Sequence, residues 1–216
     1  MSTIILDFGS GNTSHNNKAY IKRMYDELKT VDTRKHEIIC KWQLFEKAGD
    51  NIPLLPDVFD YAYQYGTRLG YKVTSSVFDK NSLDFLLEYD VPFIKIANNR
   101  DLDWIIGEIP RKIPIYVSYG DSKDVKGMIY SQNIMVMVCV SKYPSTINEY
   151  ESKFEMLSSG PFSCYKEVGI SDHTTNFGLW YRYQPEIIEW HYKLDDSIGL
   201  DAGPFARTPS QLAEIL

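Results

Sequence analysis

Residues Ile134–Ser141 read IMVMVCVS, seven apolar residues in a row closed by a serine. An almost continuously apolar run of this length, rich in β-branched valine, suits a parallel strand covered on both faces. The same reading applies outward along the chain. Comparable runs lie at Ile4–Gly9, His36–Trp42, Lys72–Phe78, Phe93–Ala97, Ile113–Tyr119, Tyr165–Ile170 and Pro185–His191. With Ile134–Ser141 they make eight predicted strands.

Helix-compatible segments fill the gaps. Asn17–Val31 carries Ala19, Met24 and Leu28 on one helical face, and Pro56–Leu69 opens on a proline and carries Val58, Phe59, Ala62 and Tyr65 at helical spacing. Asn81–Glu88 starts with Asn and Ser before Leu83, Phe85, Leu86 and Leu87. Leu102–Ile109, Ile147–Leu157, Thr175–Tyr183 and Thr208–Leu216 continue the alternation, and Asp121–Ser131 is a weaker candidate. Eight strands alternating with about eight helical segments predict an α/β fold of the (β/α)8 class, a TIM barrel, as one domain over residues 1–216. A doubly wound open sheet is the structural competitor. The stretch FGSGNTS after the first run has GxG without the third glycine of a dinucleotide loop.

Composition narrows the function classes. The chain has 216 residues, 44% hydrophobic and 24% charged, with a net charge of −6. That acidity argues against nucleic acid or an anionic membrane surface as partner, so a bound phosphate must rely on a local cluster of cations. No apolar run approaches the roughly 20 residues of a membrane span. MSTIILDFGSGN lacks the basic start and long apolar stretch of a signal peptide. Cys40, Cys139 and Cys164 show no CxxC spacing. Neither a disulfide framework nor a structural zinc site is suggested, and the expected setting is a reducing cytoplasm.

The polar residues that interrupt these strands carry the functional argument. Asp7, Lys41, Gln43, Lys95, Ser118, Ser141, Tyr143, Ser171, His173, Glu189 and His191 all fall at or near a strand's C-terminal end. Lys41 with Gln43, Ser141 with Tyr143, Ser171 with His173 and Glu189 with His191 are each two apart, so each pair returns to one strand face. In a parallel barrel those ends meet at the mouth where barrel enzymes place their chemistry.

Each feature has two readings. Lys41 and Lys95 either form structural ion pairs, with Asp7 or Glu189 as partners, or act with Ser118, Ser141 and Ser171 as a phosphate-and-carboxylate site. His173 and His191 end consecutive strands. Singly each is a satisfied structural histidine; together with Glu189 they suit a divalent transition metal that polarises a carbonyl. Asp172 points away from the mouth by strand parity and braces the loop. His15 and His36 read as surface residues, and Asp195, Asp196 and Asp201 as acids of a solvated turn. The 16 tyrosines are scattered, which fits helix–sheet packing better than a carbohydrate-binding face.

The blocks KWQLF, VTSSVFD, FIKIANN, YVSYGDS, MVCVSKYPST, EVGISDHT and IIEWHYKLDD, then GLD before TPSQL, resemble the sialic acid synthase family in order and approximate spacing from Lys41 onward, with a looser match at LDFGSGN. The resemblance implies condensation of phosphoenolpyruvate with the aldehyde of an amino sugar or another aldose. It implies that Lys41, Lys95, Ser118, Ser141 and Ser171 bind phosphoenolpyruvate and that Gln43, Tyr143 and Asp201 contact the amino sugar. It further implies that His173 and His191 hold a divalent metal, usually manganese, with magnesium or cobalt as alternatives, and that Asp7, Lys95 and Glu189 are the catalytic groups. A homodimer is the implied assembly.

This sequence departs from the family pattern in several places. Ser118-Tyr119-Gly120-Asp121 stands where the family has Ser-Thr-Gly-Met. Lys95-Ile96-Ala97-Asn98 exchanges a hydroxyl for an amide, and Asp7 is one methylene shorter than the family glutamate. The resemblance covers the barrel, without the family's small C-terminal antifreeze-like domain. A barrel without synthase activity, kept for binding or assembly, and a metal-dependent aldolase or isomerase are the competing functions.

Overall fold

A computed structural model describes residues 1–47, 49–120, 133–159 and 168–216, the side chains of 155–159 excepted. The weak helix candidate Asp121–Ser131, the start of the strand expected from Tyr165, and Cys164 lie outside the described residues.

Eight strands form in chain order: β1 (Thr3–Asp7), β2 (Glu37–Leu44), β3 (Lys72–Val77), β4 (Ile94–Ile96), β5 (Ile115–Tyr119), β6 (Ile134–Cys139), β7 (Val168–Asp172) and β8 (Ile187–His191). Each pairs parallel with the next, and β8 pairs with β1 to close a barrel. The open-sheet alternative is thereby excluded. The helices are α1 (Gly11–Ser14), α2 (Lys18–Val31), α3 (Pro56–Arg68), α4 (Lys80–Leu86), α5 (Trp104–Glu108), α6 (Ile147–Ser159), α7 (Gly178–Tyr183) and α8 (Pro209–Leu212). None among the described residues is long and apolar enough to cross a membrane.

Local chemistry explains the helix starts. The Asn17 side chain accepts from the backbone N–H of Ala19 and Tyr20, and α8 opens on a capping box between Thr208 and Gln211. Asp79, accepting from Ser82 N, caps α4 in place of the Asn81 start expected. On α2 the buried stripe is Ile21, Met24, Tyr25 and Leu28, whereas Ala19 is exposed, contrary to expectation. Positions two apart on a helix are separated by about 200°, so Ala19 and Ile21 cannot share a face.

The larger core lies between barrel and helices, where Leu6, Cys40, Trp42, Val117, Val138, Ile188 and Trp190 pack against α-helical residues such as Met24, Phe59 and Leu179. A second, smaller cluster fills the barrel itself: Ile5, Ile39, Phe93 and Met137, with Tyr116, Met135 and Ile187 against them. Phe93 and Tyr116 stack there at 3.9 Å between ring centroids. This apolar plug sets the height of everything above it. Because inward positions recur every second residue, the next inward residue after Ile5 is Asp7, after Ile39 is Lys41, after Phe93 is Lys95 and after Ile187 is Glu189. The interior changes from hydrocarbon to charge within one pleat.

Candidate active site

Above the plug lies a cavity of about 700 Å³ at the strands' C-terminal ends. All twelve candidates read from the sequence line it: Asp7, Lys41, Gln43, Lys95, Ser118, Ser141, Tyr143, Ser171, His173, Glu189, His191 and Asp201. Strand register brings them together, since Asp7 lies across from Lys41 on one side and His191 on the other, and Ser171 across from Glu189.

The floor holds two buried ion pairs. Lys41 Nζ donates to Asp7 Oδ2 at 2.6 Å and to Ser76 Oγ at 2.9 Å, with Glu189 Oε1 4.0 Å away. Lys95 Nζ donates to Glu189 Oε2 at 2.8 Å, and Ser171 Oγ donates to Glu189 Oε1 at 3.2 Å. Burial alone would lift the Asp7 and Glu189 carboxyls. For Asp7 the charges of Lys41 and then His191 outweigh it, for Glu189 those of Lys41 and then Lys95, and both stay below the usual carboxylate range. Burial likewise opposes the Lys41 charge, and Asp7 and Glu189 overcome it, so its pKa rises.

At the rim, Gln43 Nε2 donates to Asp7 Oδ2 and to Asp201 Oδ1, both at 2.9 Å. Asp201 is therefore part of the site and not a solvated turn acid. Its neighbour in that reading, Asp196, is also engaged, pairing with Arg23 and accepting from Tyr20. Gly9, at φ +74°, makes the approach of the loops possible: a Cβ there would meet Thr13 and would sit 3.1 Å from Asp201 Cβ. His36 corrects a further expectation. It is buried, with its ring edge against Trp180 of α7 at 5.3 Å.

The two imidazoles converge at 5.4 Å between ring centroids. His173 Nδ1 lies 2.7 Å from the Val140 carbonyl oxygen, which can only accept, so Nδ1 carries the proton and Nε2 presents its lone pair. Burial first, then the neighbouring His191, pushes its pKa down to about 3, keeping the ring neutral. His191 shifts the other way. Burial opposes its charge, but Asp7 and Asp201 outweigh that, since Nε2 lies 3.9 Å from Asp7 Oδ2 and Nδ1 3.3 Å from Asp201 Oδ1.

His191 Nδ1 is buried without hydrogen-bond geometry to any partner. An orphaned buried ring nitrogen beside carboxylates suits a hard-to-borderline divalent cation. Ligand atoms of Asp7, His191 and Asp201 all lie within 4.8 Å of one another. Glu189, which the sequence offered both to the imidazoles and to the lysines as an ion-pair partner, is turned to the lysines.

Several lining groups carried little sequence signal. Ser76 bonds Lys41, and its place late in VTSSV was the available clue. Asn98 bridges three strand ends: its Nδ2 donates to Ser141 Oγ at 2.6 Å and its Oδ1 accepts from Gly120 N at 3.2 Å. The amide that replaces the hydroxyl thus holds both Ser141 and Gly120. Asp121, in the altered block, lies outside the described residues. Phe205, from an irregular loop, walls the cavity against His191 and Tyr143 at 5.0 and 4.9 Å between ring centroids. Tyr143 itself is half-exposed, beyond the end of β6.

Fold and cavity together define a TIM-barrel protein with a charge-dense pocket at the mouth where barrel enzymes carry their chemistry. Residues 15–216 match the model of the NeuB family, and the chain belongs to that family.

Among curated proteins it is 26% identical over 152 residues to N,N'-diacetyllegionaminic acid synthase of Legionella pneumophila, a match covering 62% of this chain and 42% of that protein. The matched region is thus less than half of that relative's length. Among solved structures, the N-acetylneuraminic acid synthetase of Leptospira borgpetersenii superposes with a TM-score of 0.79 at 23% identity, over 98% of this chain and 80% of that one. The spore coat polysaccharide biosynthesis protein SpsE of Bacillus subtilis gives 0.77 at 19%, over 99% and 65%. At these identities the structural likenesses speak for the fold.

Proposed function

We propose that this protein condenses phosphoenolpyruvate with the open-chain aldehyde of an N-acylated amino sugar or related aldose, giving a sialic-acid-like product and inorganic phosphate. The observation that carries this reading is the pair of buried lysines, Lys41 and Lys95, on the floor of a cavity ringed by Ser118, Ser141 and Ser171. Membership of the NeuB family and similarity to a legionaminic acid synthase support it.

The chain's own residues have separable tasks. Lys41 and Lys95 supply fixed positive charge for the phosphate and carboxylate of phosphoenolpyruvate, and the serine hydroxyls supply donors. Gln43, Asp201 and Tyr143 face the sugar. Carbon 3 of phosphoenolpyruvate attacks the aldehyde carbon, water adds at carbon 2, and the resulting tetrahedral intermediate expels phosphate. Asp7, held by Lys41, Gln43 and the Gly9 N–H, is placed to manage a proton at the sugar end. Catalysis rests mainly on positioning and electrostatics. His191 and His173, with Asp7 and Asp201 close by, would hold a divalent ion such as manganese. When bound, that ion supplies Lewis-acid polarisation of a carbonyl oxygen.

One observation favours a second reading, a barrel kept for binding or assembly: both lysines already have carboxylate partners inside the site. Phosphate release from phosphoenolpyruvate, measured with manganese across a panel of N-acylated hexosamines and simpler aldoses, separates the two. Aldehyde-dependent release is expected. Silence across the panel from folded protein that also fails to bind phosphoenolpyruvate would overturn the synthase reading.

A further inference from the structure

Arg207 is a buried arginine outside the cavity, only 1% exposed, and no step above uses it. It stands where the turn 203–208 runs beside the end of β8, bridging in parallel to Tyr192. Its Nη1 donates to the Phe205 carbonyl at 2.8 Å, and its Nη2 donates to the Asn176 carbonyl at 2.7 Å. Nη2 also lies 3.5 Å from Asp172 Oδ2, and the guanidinium sits over the Phe177 ring at 5.1 Å. The backbone is tied as firmly. Arg207 N donates to the His191 carbonyl at 2.7 Å, and Arg207 O accepts from Lys193 N at 3.0 Å.

Asp172 completes the link. It immediately precedes His173, is fully buried, and accepts from Trp190 Nε1 at 2.8 Å and Thr174 N at 2.7 Å. Trp190 immediately precedes His191. The outward-facing neighbours of both histidines are therefore joined to one another, and Arg207 joins them to the loop after β7 and to the Phe205 wall. A planar fork with several fixed donors suits this geometry, whereas an ammonium on a flexible stem cannot reach two carbonyls and a carboxylate together.

We infer that Arg207 is a positioning residue for the two-histidine centre, holding the segments after β7 and β8 in one register so that both imidazoles face the same point. The inference rests on the proposed metal role of His173 and His191. Groups that orient ligands from behind typically change metal affinity 10–100-fold when altered.

The test is manganese affinity of the full chain, read from free Mn²⁺ by electron paramagnetic resonance at low temperature, for wild type, Arg207→Lys and Arg207→Met. Leu28→Ala, a buried change on α2, provides a destabilised control. About tenfold or greater weakening in both Arg207 variants, with Leu28→Ala binding as wild type does, is the expected result. Wild-type affinity in the Arg207 variants overturns the inference and leaves the metal reading intact, as does equal weakening in Leu28→Ala. A wild type that binds no Mn²⁺ overturns the metal reading itself, and this inference with it. Should neither Arg207 variant fold, hydrogen exchange of the wild type decides: Mn²⁺ is expected to slow exchange in 173–178 and 203–208 together. Slowing confined to one of the two segments refutes the coupling.

Discussion

Lys95 Nζ and Glu189 Oε2 meet at 2.8 Å across the barrel floor, linking β4 to β8 over 94 residues of sequence. The pair unites the two readings the sequence left open, an internal ion pair and a cation in an anion site. A buried lysine must be neutralised when no ligand is present, and Glu189 does that. In the proposed function, an arriving phosphate or carboxylate would compete with Glu189 for the same ammonium.

Glu189→Gln should therefore separate stability from binding. Removing one partner of a buried pair leaves the other charge uncompensated, and the expected loss of unfolding free energy is about 3 kcal/mol. Inorganic phosphate should bind more tightly, because a competing negative charge has gone, and saturating phosphate should restore part of the lost stability. Urea denaturation with and without phosphate, together with calorimetric titration, checks both. Weaker phosphate binding in the variant would place the anion site elsewhere.

His191→Ala addresses the metal site. The ring lies between Asp7 and Asp201 and faces His173, so it is common to every ligand set these residues offer. The variant should lose Mn²⁺ binding while keeping the circular dichroism spectrum of the wild type. Unchanged metal content after dialysis against Mn²⁺ would remove these residues from the ligand set.

How much of this was legible in the sequence follows from what sets each position. Inward-facing pairs such as Lys41 and Gln43, or Glu189 and His191, are fixed by the two-residue period of a strand, so a polar pair ending an apolar run was readable directly. The partner of Glu189 was not, because the choice between an imidazole and an ammonium depends on the stagger between strands four apart. Phe205 and Arg207 come from a turn with no period at all. Asp201 is left open between a solvated turn acid and a sugar contact for the same reason, since only the return of its loop to Gln43 and His191 buries it. His36 reads as a strand-start surface residue until α7 lays Trp180 against it.

Gly9→Ala should damage the mouth without touching a charged group. A left-handed φ of +74° disfavours any side chain by about 1–2 kcal/mol, and the new methyl would meet Thr13 and Asp201 in a packed corner at a further cost of about 1–3 kcal/mol. The expected loss is about 2–5 kcal/mol, accompanied by weaker Mn²⁺ binding as Asp201 is displaced. Adding Thr13→Ala should recover part of the stability, because it removes the nearer obstacle. Thermal and urea denaturation of the single and double variants decide this. A double variant no more stable than Gly9→Ala would mean that the contact with Thr13 contributes nothing, leaving backbone strain and the contact with Asp201.

His36 should contribute an acid-sensitive component of stability. Burial first, and the Lys35 charge second, hold its pKa below the ordinary histidine value of about 6.5. As pH falls through that value the unfolded chain takes up a proton before the folded one does, so the unfolded state binds more protons and stability declines. The contribution of neutral His36 is complete above about pH 6.5 and is lost progressively below it, until the folded ring itself protonates. His36→Gln removes the titration, so between pH 7 and pH 5 its unfolding free energy should fall by less than that of the wild type. Urea midpoints at half-unit pH intervals measure the difference. Parallel curves for the two proteins would show that His36 protonates equally in both states, and that the ring in contact with Trp180 is open enough to hold a charge.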